Sequence, residues 1–312
     1  MVVPEYIMVE IQKTICPHCN SEEVVRRGTF ETQTHGKQQM LYCKKCGKRC
    51  IERTPFYRMR NRPEKITLCL DLFYRGISTR KIQEHLQAFY PQNSSHKSIY
   101  KWVVKYARMI SNFTDNLKLQ VGKEIQVDEM EYHRRKQRNR KGVDKNWFID
   151  ILDCKTRFIV ASEYVRAREQ KEIKRVIKRA KLKTENQITI VTTDGLTAYE
   201  NIIKKNWGYN NKIGNYNITH NVVNASAGEG FNIMIERLHN NIRQRTKTFR
   251  GFHGSIESAN TIMKGLEIYY NFITRHQAIN KCPYELAIPE LKNKLNVPNK
   301  WLRLIELANQ KH

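Results

Sequence analysis

The stretch Gln187-Ile-Thr-Ile-Val-Thr-Thr-Asp194-Gly195 decides the fold. From Gln187 to Thr193 it is a continuous β-branched run, too short for a helix, and it stops at an Asp-Gly pair. Such runs are strands covered on both faces, so this one belongs at the middle of a sheet with helices above and below. Upstream, Glu124 to Tyr132, Asn146 to Leu152 and Phe158 to Tyr164 read as three further strands. The basic run His133 to Lys141, followed by Gly142, turns the first hairpin. Ala167 to Ala180 reads as an amphipathic helix that buries Ile173, Val176, Ile177 and Ala180.

Downstream come a helix over Leu196 to Lys205, a short strand near Asn217 to Val222, a loop rich in Asn, Ser and Gly, and a helix that runs past Glu236 to Lys247. A long helix over Ser255 to Thr274 follows. Three antiparallel strands, a helix, a parallel strand, a helix and another strand form the element order of a ribonuclease H-like α/β fold, a mixed five-stranded sheet with flanking helices. In that order the first and fourth strands are neighbours. Asp128, inside Glu124-Ile-Gln-Val-Asp-Glu-Met130, and Asp194, at a strand's carboxyl end, then project to one edge of the sheet, where open α/β sheets bind ligands.

The surrounding charge makes these acids conspicuous. Lys and Arg number 56 against 30 Asp and Glu, giving a net charge of +26. That balance favours a polyanionic partner, and such a protein keeps carboxylates off its contact face unless a divalent cation lies between. Singly, each acid also has a plain reading: Asp194 before Gly195 suits a turn or helix cap, and Glu236 in a basic helix suits an ion pair. Asp150 is a further acid on the second strand, and Asp153 with Cys154-Lys155-Thr156 reads as a hairpin turn. At 40% hydrophobic residues the chain can bury a core, and no apolar run approaches the roughly 20 residues of a spanning helix. Met1 to Ile15 carries acids and polar residues where a signal peptide has an apolar stretch, so a cytoplasmic, nucleoid-associated protein is expected.

Four of the eight cysteines form two Cys-x-x-Cys pairs, Cys16 with Cys19 and Cys43 with Cys46, which is not the pattern of a secreted disulfide scaffold. Two residues between paired thiolates let both turn onto one tetrahedral ion, and the residues between the pairs supply two short strands. This predicts a zinc ribbon with one structural Zn²⁺, Cys50 and His18 standing outside it. Arg62 to Asn112 reads as three helices: one from Pro63 to Gly76, one capped at Ser78, and one starting at Ser94 to Ser98 with Ile99, Trp102, Val103, Tyr106 and Ile110 at helical spacing. They resemble a helix-turn-helix, in which His96, Lys97, Ser98 and Lys101 face a DNA groove. A helical linker with a solvated basic face is the alternative.

Taken together, Val127-Asp128-Glu129, Thr192-Thr193-Asp194-Gly195, Ile235-Glu236-Arg237, the basic Arg243, Arg245 and Lys247, and Phe249-Arg250-Gly251-Phe252 resemble the DDE transposases of prokaryotic insertion sequences, whose catalytic domain is ribonuclease H-like and related to retroviral integrases. The resemblance implies that Asp128, Asp194 and Glu236 hold two Mg²⁺ or Mn²⁺ ions, and that Arg243, Arg245 and Lys247, with Arg134, Arg135 and Lys136 of the hairpin, contact DNA. The Asp194 to Glu236 spacing, positions 195 to 235, is wider than in compact members, and Glu229 is the nearest alternative. The domains expected are 1–55 (zinc ribbon), 56–117 (helix-turn-helix), 118–282 (catalytic) and 283–312 (helical tail). The implied activity is cleavage and strand transfer at the inverted repeats of a mobile element, by a homodimer or larger oligomer on double-stranded DNA, without a membrane. Two alternatives stand beside it: a DNA-binding regulator with an inactive ribonuclease H-like domain, and a metal-dependent nuclease without strand transfer.

Overall fold

A computed structural model describes residues 15–32, 36–51, 54–89, 94–135, 143–223, 232–249, 251–252 and 254–310, with only the backbone described for 135, 143 and 144. The chain divides into two compact units, Met1–Lys65 and Ile66–His312. In the first, β1 (Val24–Thr32), β2 (Gly36–Cys43) and β3 (Arg49–Ile51) form an antiparallel sheet in the order β1-β2-β3. Its ends are the two cysteine turns: Cys43 N–H bonds Lys48 O, Gly47 N–H returns to Cys43 O, and Asn20 N–H returns to Cys16 O. Gly47 takes φ +70°, a left-handed turn conformation that glycine adopts without strain.

The second unit is an α/β sandwich. The helices α1 (Pro63–Tyr74), α2 (Thr79–Phe89) and α3 (His96–Thr114) lead into β4 (Glu124–Glu131). A two-residue ribbon of β5 (Arg134–Arg135) and β6 (Val143–Asp144) precedes β7 (Trp147–Asp153), β8 (Ile159–Val165), α4 (Gln170–Lys183), β9 (Ile190–Thr193) and α5 (Ala198–Trp207). A second small ribbon, β10 (Tyr209–Asn210) with β11 (Asn215–Tyr216), is followed by β12 (Thr219–Val222), α6 (Ile233–Thr246), α7 (Ile256–Ile268), α8 (Tyr284–Ala287) and α9 (Lys300–Asn309). The main sheet has the order β12-β9-β4-β7-β8, parallel on the β12 and β9 side and antiparallel on the other. This is the mixed five-stranded sheet of a ribonuclease H-like fold.

Strand β9 is shorter than its sequence suggests, because Thr189 and Ile190 both donate to Lys123 O and the ladder with β4 begins only there. Helix α4 buries Ile173, Val176, Ile177 and Ala180, the stripe its periodicity requires. The long helix after Ser255 breaks its α register at Tyr269 and finishes as a π-helical turn to Ile273. At that bend Asn271 locks onto the edge strand, accepting from Ile159 N–H at 2.8 Å and donating to Ile159 O at 3.0 Å.

The N-terminal helices are packed into the sandwich. Ser95 caps α3 by accepting from Ser98 N–H, and α3 buries Ile99, Trp102, Val103, Tyr106 and Ile110. Tyr74 of α1 is fully buried; a Cβ on Gly265 of α7 would fall 1.8 Å from its hydroxyl, so only glycine admits this approach. Trp301 of α9 stacks on the same ring at 5.3 Å and donates to Asp71 at 3.3 Å. At the end of α3, Asp115 meets two buried lysines, Lys264 at 2.9 Å and Lys183 at 3.7 Å, and Lys264 also reaches Glu267 at 2.7 Å. Burial first, with Lys264 and Arg179, pushes the Lys183 ammonium down to about 8 against the pull of Glu267 and Asp115. Burial opposes ionisation of Asp115 as well, but Lys264 and Lys183 outweigh it and hold its carboxyl below the ordinary value.

Candidate metal centre and nucleic-acid surface

The register of β4 builds the acidic site. Its parallel ladder with β9 pairs Val127 with Thr193 and goes no further, while its antiparallel ladder with β7 continues through Asp128 opposite Asp150. Asp194 therefore emerges from β9 beside Asp128, in the gap where the parallel pairing stops. Carboxylate oxygens of Asp128, Glu129 and Asp194 lie within 4.8 Å of one another. Asp194 turns back to accept Leu196 N–H at 3.1 Å, and Asp128 accepts Glu129 N–H at 2.8 Å.

Helix α6 closes one side. Gln126 accepts Ile235 N–H at 3.1 Å, pinning the first turn of α6 to β4. One turn further, His239 is buried between two aspartates, its Nε2 3.0 Å from Asp150 and its Nδ1 3.6 Å from Asp128. Burial disfavours the imidazolium, but Asp150 and then Asp128 outweigh it and raise the pKa of His239.

The acids repel one another in a dry crevice. Burial first, then Asp150 and Asp194, push Asp128 up to about 6, against the pull of His239 and its hydrogen bond from Glu129 N–H. Burial and Asp194 push Glu129 up to about 7, against Tyr199 and Arg168. Both Glu129 oxygens are buried, and the Tyr199 hydroxyl is the hydrogen-bond donor acting on them. Converging oxygen ligands with unsatisfied lone pairs fit a hard divalent cation.

Glu236 is not drawn into this cluster. It is exposed in the first turn of α6, three residues before His239. Its alternative Glu229 lies outside the described residues. Asp153 serves the turn, accepting Gly122 N–H at 2.9 Å and Thr156 N–H and Oγ1–H at 2.6 Å each. The sequence pattern gives Glu129 and Asp150 no part in the site and sets His239 only on the helix face it shares with Glu236, Asn240 and Arg243. The signal for Glu129 was its neighbour Asp128, but strand alternation argues that adjacent side chains face apart.

Elsewhere, Lys97, Lys101, Arg243 and Lys247 are exposed, and Ser98 is half-buried. His96 is tied down: its N–H donates to Gln83 of α2 at 2.8 Å, fixing the start of α3 on α2. Arg245 bonds Asn241 at 2.5 Å and its guanidinium lies 5.1 Å from the centre of the Tyr269 ring. Arg134 donates to Gly254 O at 2.9 Å. The Arg135 side chain, Lys136 and Arg250 lie outside the described residues. A cavity of about 790 Å³ opens between the start of α2 and the 3-10 turn Lys247–Phe249, lined by Arg80, Lys81, Tyr100, Lys247 and Phe249 among others.

In the first unit the four sulfurs of Cys16, Cys19, Cys43 and Cys46 lie within 4.8 Å of one another, with Cys16 to Cys46 at 3.7 Å and Cys19 to Cys43 at 3.6 Å. A tetrahedral ion with metal–sulfur bonds of about 2.3 Å has edges of about 3.8 Å. Burial raises the Cys16 thiol, but backbone N–H groups of His18 and Cys19 outweigh it and hold it at about 6, whereas at Cys19 a backbone hydrogen bond from Ser21 is outweighed by burial and the neighbouring sulfurs, which push it up to about 12. Cys50 is buried outside this group.

The sheet is that of a ribonuclease H-like domain, and its converging carboxylates are a candidate divalent-cation site beside the end of β9. Residues 144–276 match a family described as a DDE domain, a span that contains Asp150, Asp194, Glu236 and His239 and begins after Asp128. The uncharacterized 48.3 kDa protein of insertion element ISM1 from Methanobrevibacter smithii is 28% identical over 204 residues, covering 60% of this chain and 47% of that protein. The chain thus spans about half the length of this relative. Over these spans the chain is similar to a DDE domain and to a protein of an insertion element. Among the described residues no helix is long and apolar enough to cross a membrane.

Proposed function

We propose that the protein is the transposase of an insertion sequence, binding the element's inverted repeats, cutting the DNA at its ends and joining the 3′-hydroxyls to target DNA. The observation that supports this best is the meeting of Asp128 and Asp194 where the parallel pairing of β4 and β9 ends, inside a strongly cationic chain. These aspartates would hold two Mg²⁺ or Mn²⁺ ions, with Glu236 as a third ligand from α6. Such ions supply an activated water or 3′-hydroxyl and stabilise the leaving oxygen in an in-line displacement. His239 and Asp150 orient the Asp128 carboxylate, and the Gln126 bond holds α6 in place over the strand.

DNA is held by cationic and polar side chains. His96, Lys97, Ser98 and Lys101 of α3 address a groove, while Arg243, Arg245 and Lys247, with the hairpin residues Arg134, Arg135 and Lys136, meet phosphates. The four cysteines bind one structural Zn²⁺, making residues 1–55 a zinc ribbon ahead of a helix-turn-helix at 56–117, a catalytic domain at 118–282 and a helical tail. The protein works as a homodimer or larger oligomer on nucleoid DNA in the cytoplasm. The test is cleavage and joining of DNA carrying the element's ends with Mg²⁺, by wild type, Asp128→Asn and Asp194→Asn. Wild type is expected to cut and join, and neither variant to do so while both still bind the ends. Cutting without joining would make the protein a nuclease, and binding without cutting a regulator.

A further inference from the structure

We propose that Glu129 is a metal ligand of the acidic site, reaching it from the opposite face of β4 to Asp128. The inference rests on the reading of Asp128 and Asp194 as cation ligands and adds a residue to it.

Two observations carry it. Successive side chains of a strand leave opposite faces, so Asp128 turns toward His239 of α6 while Glu129 turns toward Tyr199 of α5. The two carboxylates nonetheless converge, because the β4 and β9 ladder ends at Val127 and Thr193 and leaves that edge of β4 open. Side chains from both faces wrap into the gap, where Asp194 waits within 4.8 Å of each. Second, both Glu129 oxygens are buried, and the Tyr199 hydroxyl is the hydrogen-bond donor acting on them, which leaves most of their lone pairs unsatisfied. One hydroxyl does not hold an ionised carboxylate in a buried site without a cation. The arrangement is completed by an ion among the three acids, which satisfies the lone pairs of Glu129 and cancels its repulsion with Asp194 and Asp128. A cation held this way is clamped from both faces of the central strand, with its remaining positions open to water and phosphate.

The competing account is a neutral Glu129 that only fills space beneath α5. Mn²⁺ binding to the full-length protein, followed by the electron paramagnetic resonance of free Mn²⁺, separates the two. Glu129→Gln is nearly isosteric and removes a disfavoured anion, so without Mn²⁺ it is expected to melt at or above the wild-type temperature. It is expected to weaken the tightest Mn²⁺ site at least tenfold, as Asp194→Asn does. Affinity within twofold of wild type in Glu129→Gln, with binding lost in Asp128→Asn and Asp194→Asn, overturns the assignment and leaves the two aspartates standing. Wild-type affinity in all three variants instead overturns the acidic site itself. Should Glu129→Gln not fold, Glu129→Asp decides: its carboxyl is one carbon short, so affinity is expected to fall at least threefold, and unchanged affinity overturns the proposal.

Discussion

The four cysteines and the three converging acids are both candidate cation sites, assembled in opposite ways. Each Cys pair is held by one tight turn, and the two turns sit at the ends of strands in a small sheet. The acids come from β4 and from the end of β9, 66 positions apart between Asp128 and Asp194 (194 minus 128), and meet only because the two strands are neighbours in a five-stranded sheet. The first site is local chemistry supporting a small unit; the second is carried by a core that stands without it. Losing the metal should therefore unfold one region and leave the other folded but inert.

That contrast can be broken most directly at the cysteines. Cys43→Ser, or a strong chelator, is expected to release one Zn²⁺ per chain and melt residues 16–51, because binding free energies of about 10 kcal/mol or more are folding free energy in such sites. Metal analysis and amide hydrogen exchange check it, and a unit that keeps its exchange protection without metal would erase the difference. Next in size, Asp128→Asn and Asp194→Asn should each lower Mg²⁺-dependent cleavage roughly a thousand-fold or more, the scale lost when transition-state charge is left unstabilised. Their melting temperatures should stay level or rise, since each removes a charge from a crowded acidic crevice. A large fall in stability would mean that the acids hold the fold together as the cysteines do.

A smaller effect tests the core that carries the acids. Asp115→Asn strips a counter-charge from buried Lys264 and Lys183 and should cost about 3 kcal/mol at pH 7 by denaturant unfolding. Because the folded-state pKa of Asp115 is depressed, its contribution is present above the ordinary carboxylate pKa of about 4 and is lost as pH falls through the depressed value. The gap between variant and wild type should therefore close in acid. Smallest of all, Lys97→Ala and Lys101→Ala should each lower the salt slope of DNA binding by about one while leaving cleavage chemistry intact.

Legibility followed the same divide. The cysteine cluster was readable because Cys-x-x-Cys spacing is itself the geometry. The sheet order was readable because the β-branched run at Thr189 to Thr193 and the amphipathic stripe of α4 each admit one placement. Glu129 was not readable, since alternation along a strand argues that neighbours part; only the early end of the β4 and β9 ladder lets it rejoin Asp128. His239 looked like one residue on a basic helix face, and its burial between Asp150 and Asp128 depends on α6 crossing β4. Glu236 sits on the same helix, exposed, one turn before His239.

By itself, the sequence determined the cationic character, the four-thiol cluster, the ribonuclease H-like order of elements and the pair Asp128 and Asp194, because charge, short-range spacing and hydrophobic periodicity are properties of the chain. Only the tertiary structure decided which carboxylates share one crevice, that His239 lies between two aspartates, and that α1 and α3 are packed against α7 and α9. Those facts depend on where a ladder stops and which helix crosses which strand. Such distances are set by packing across the whole unit, and no local pattern encodes them.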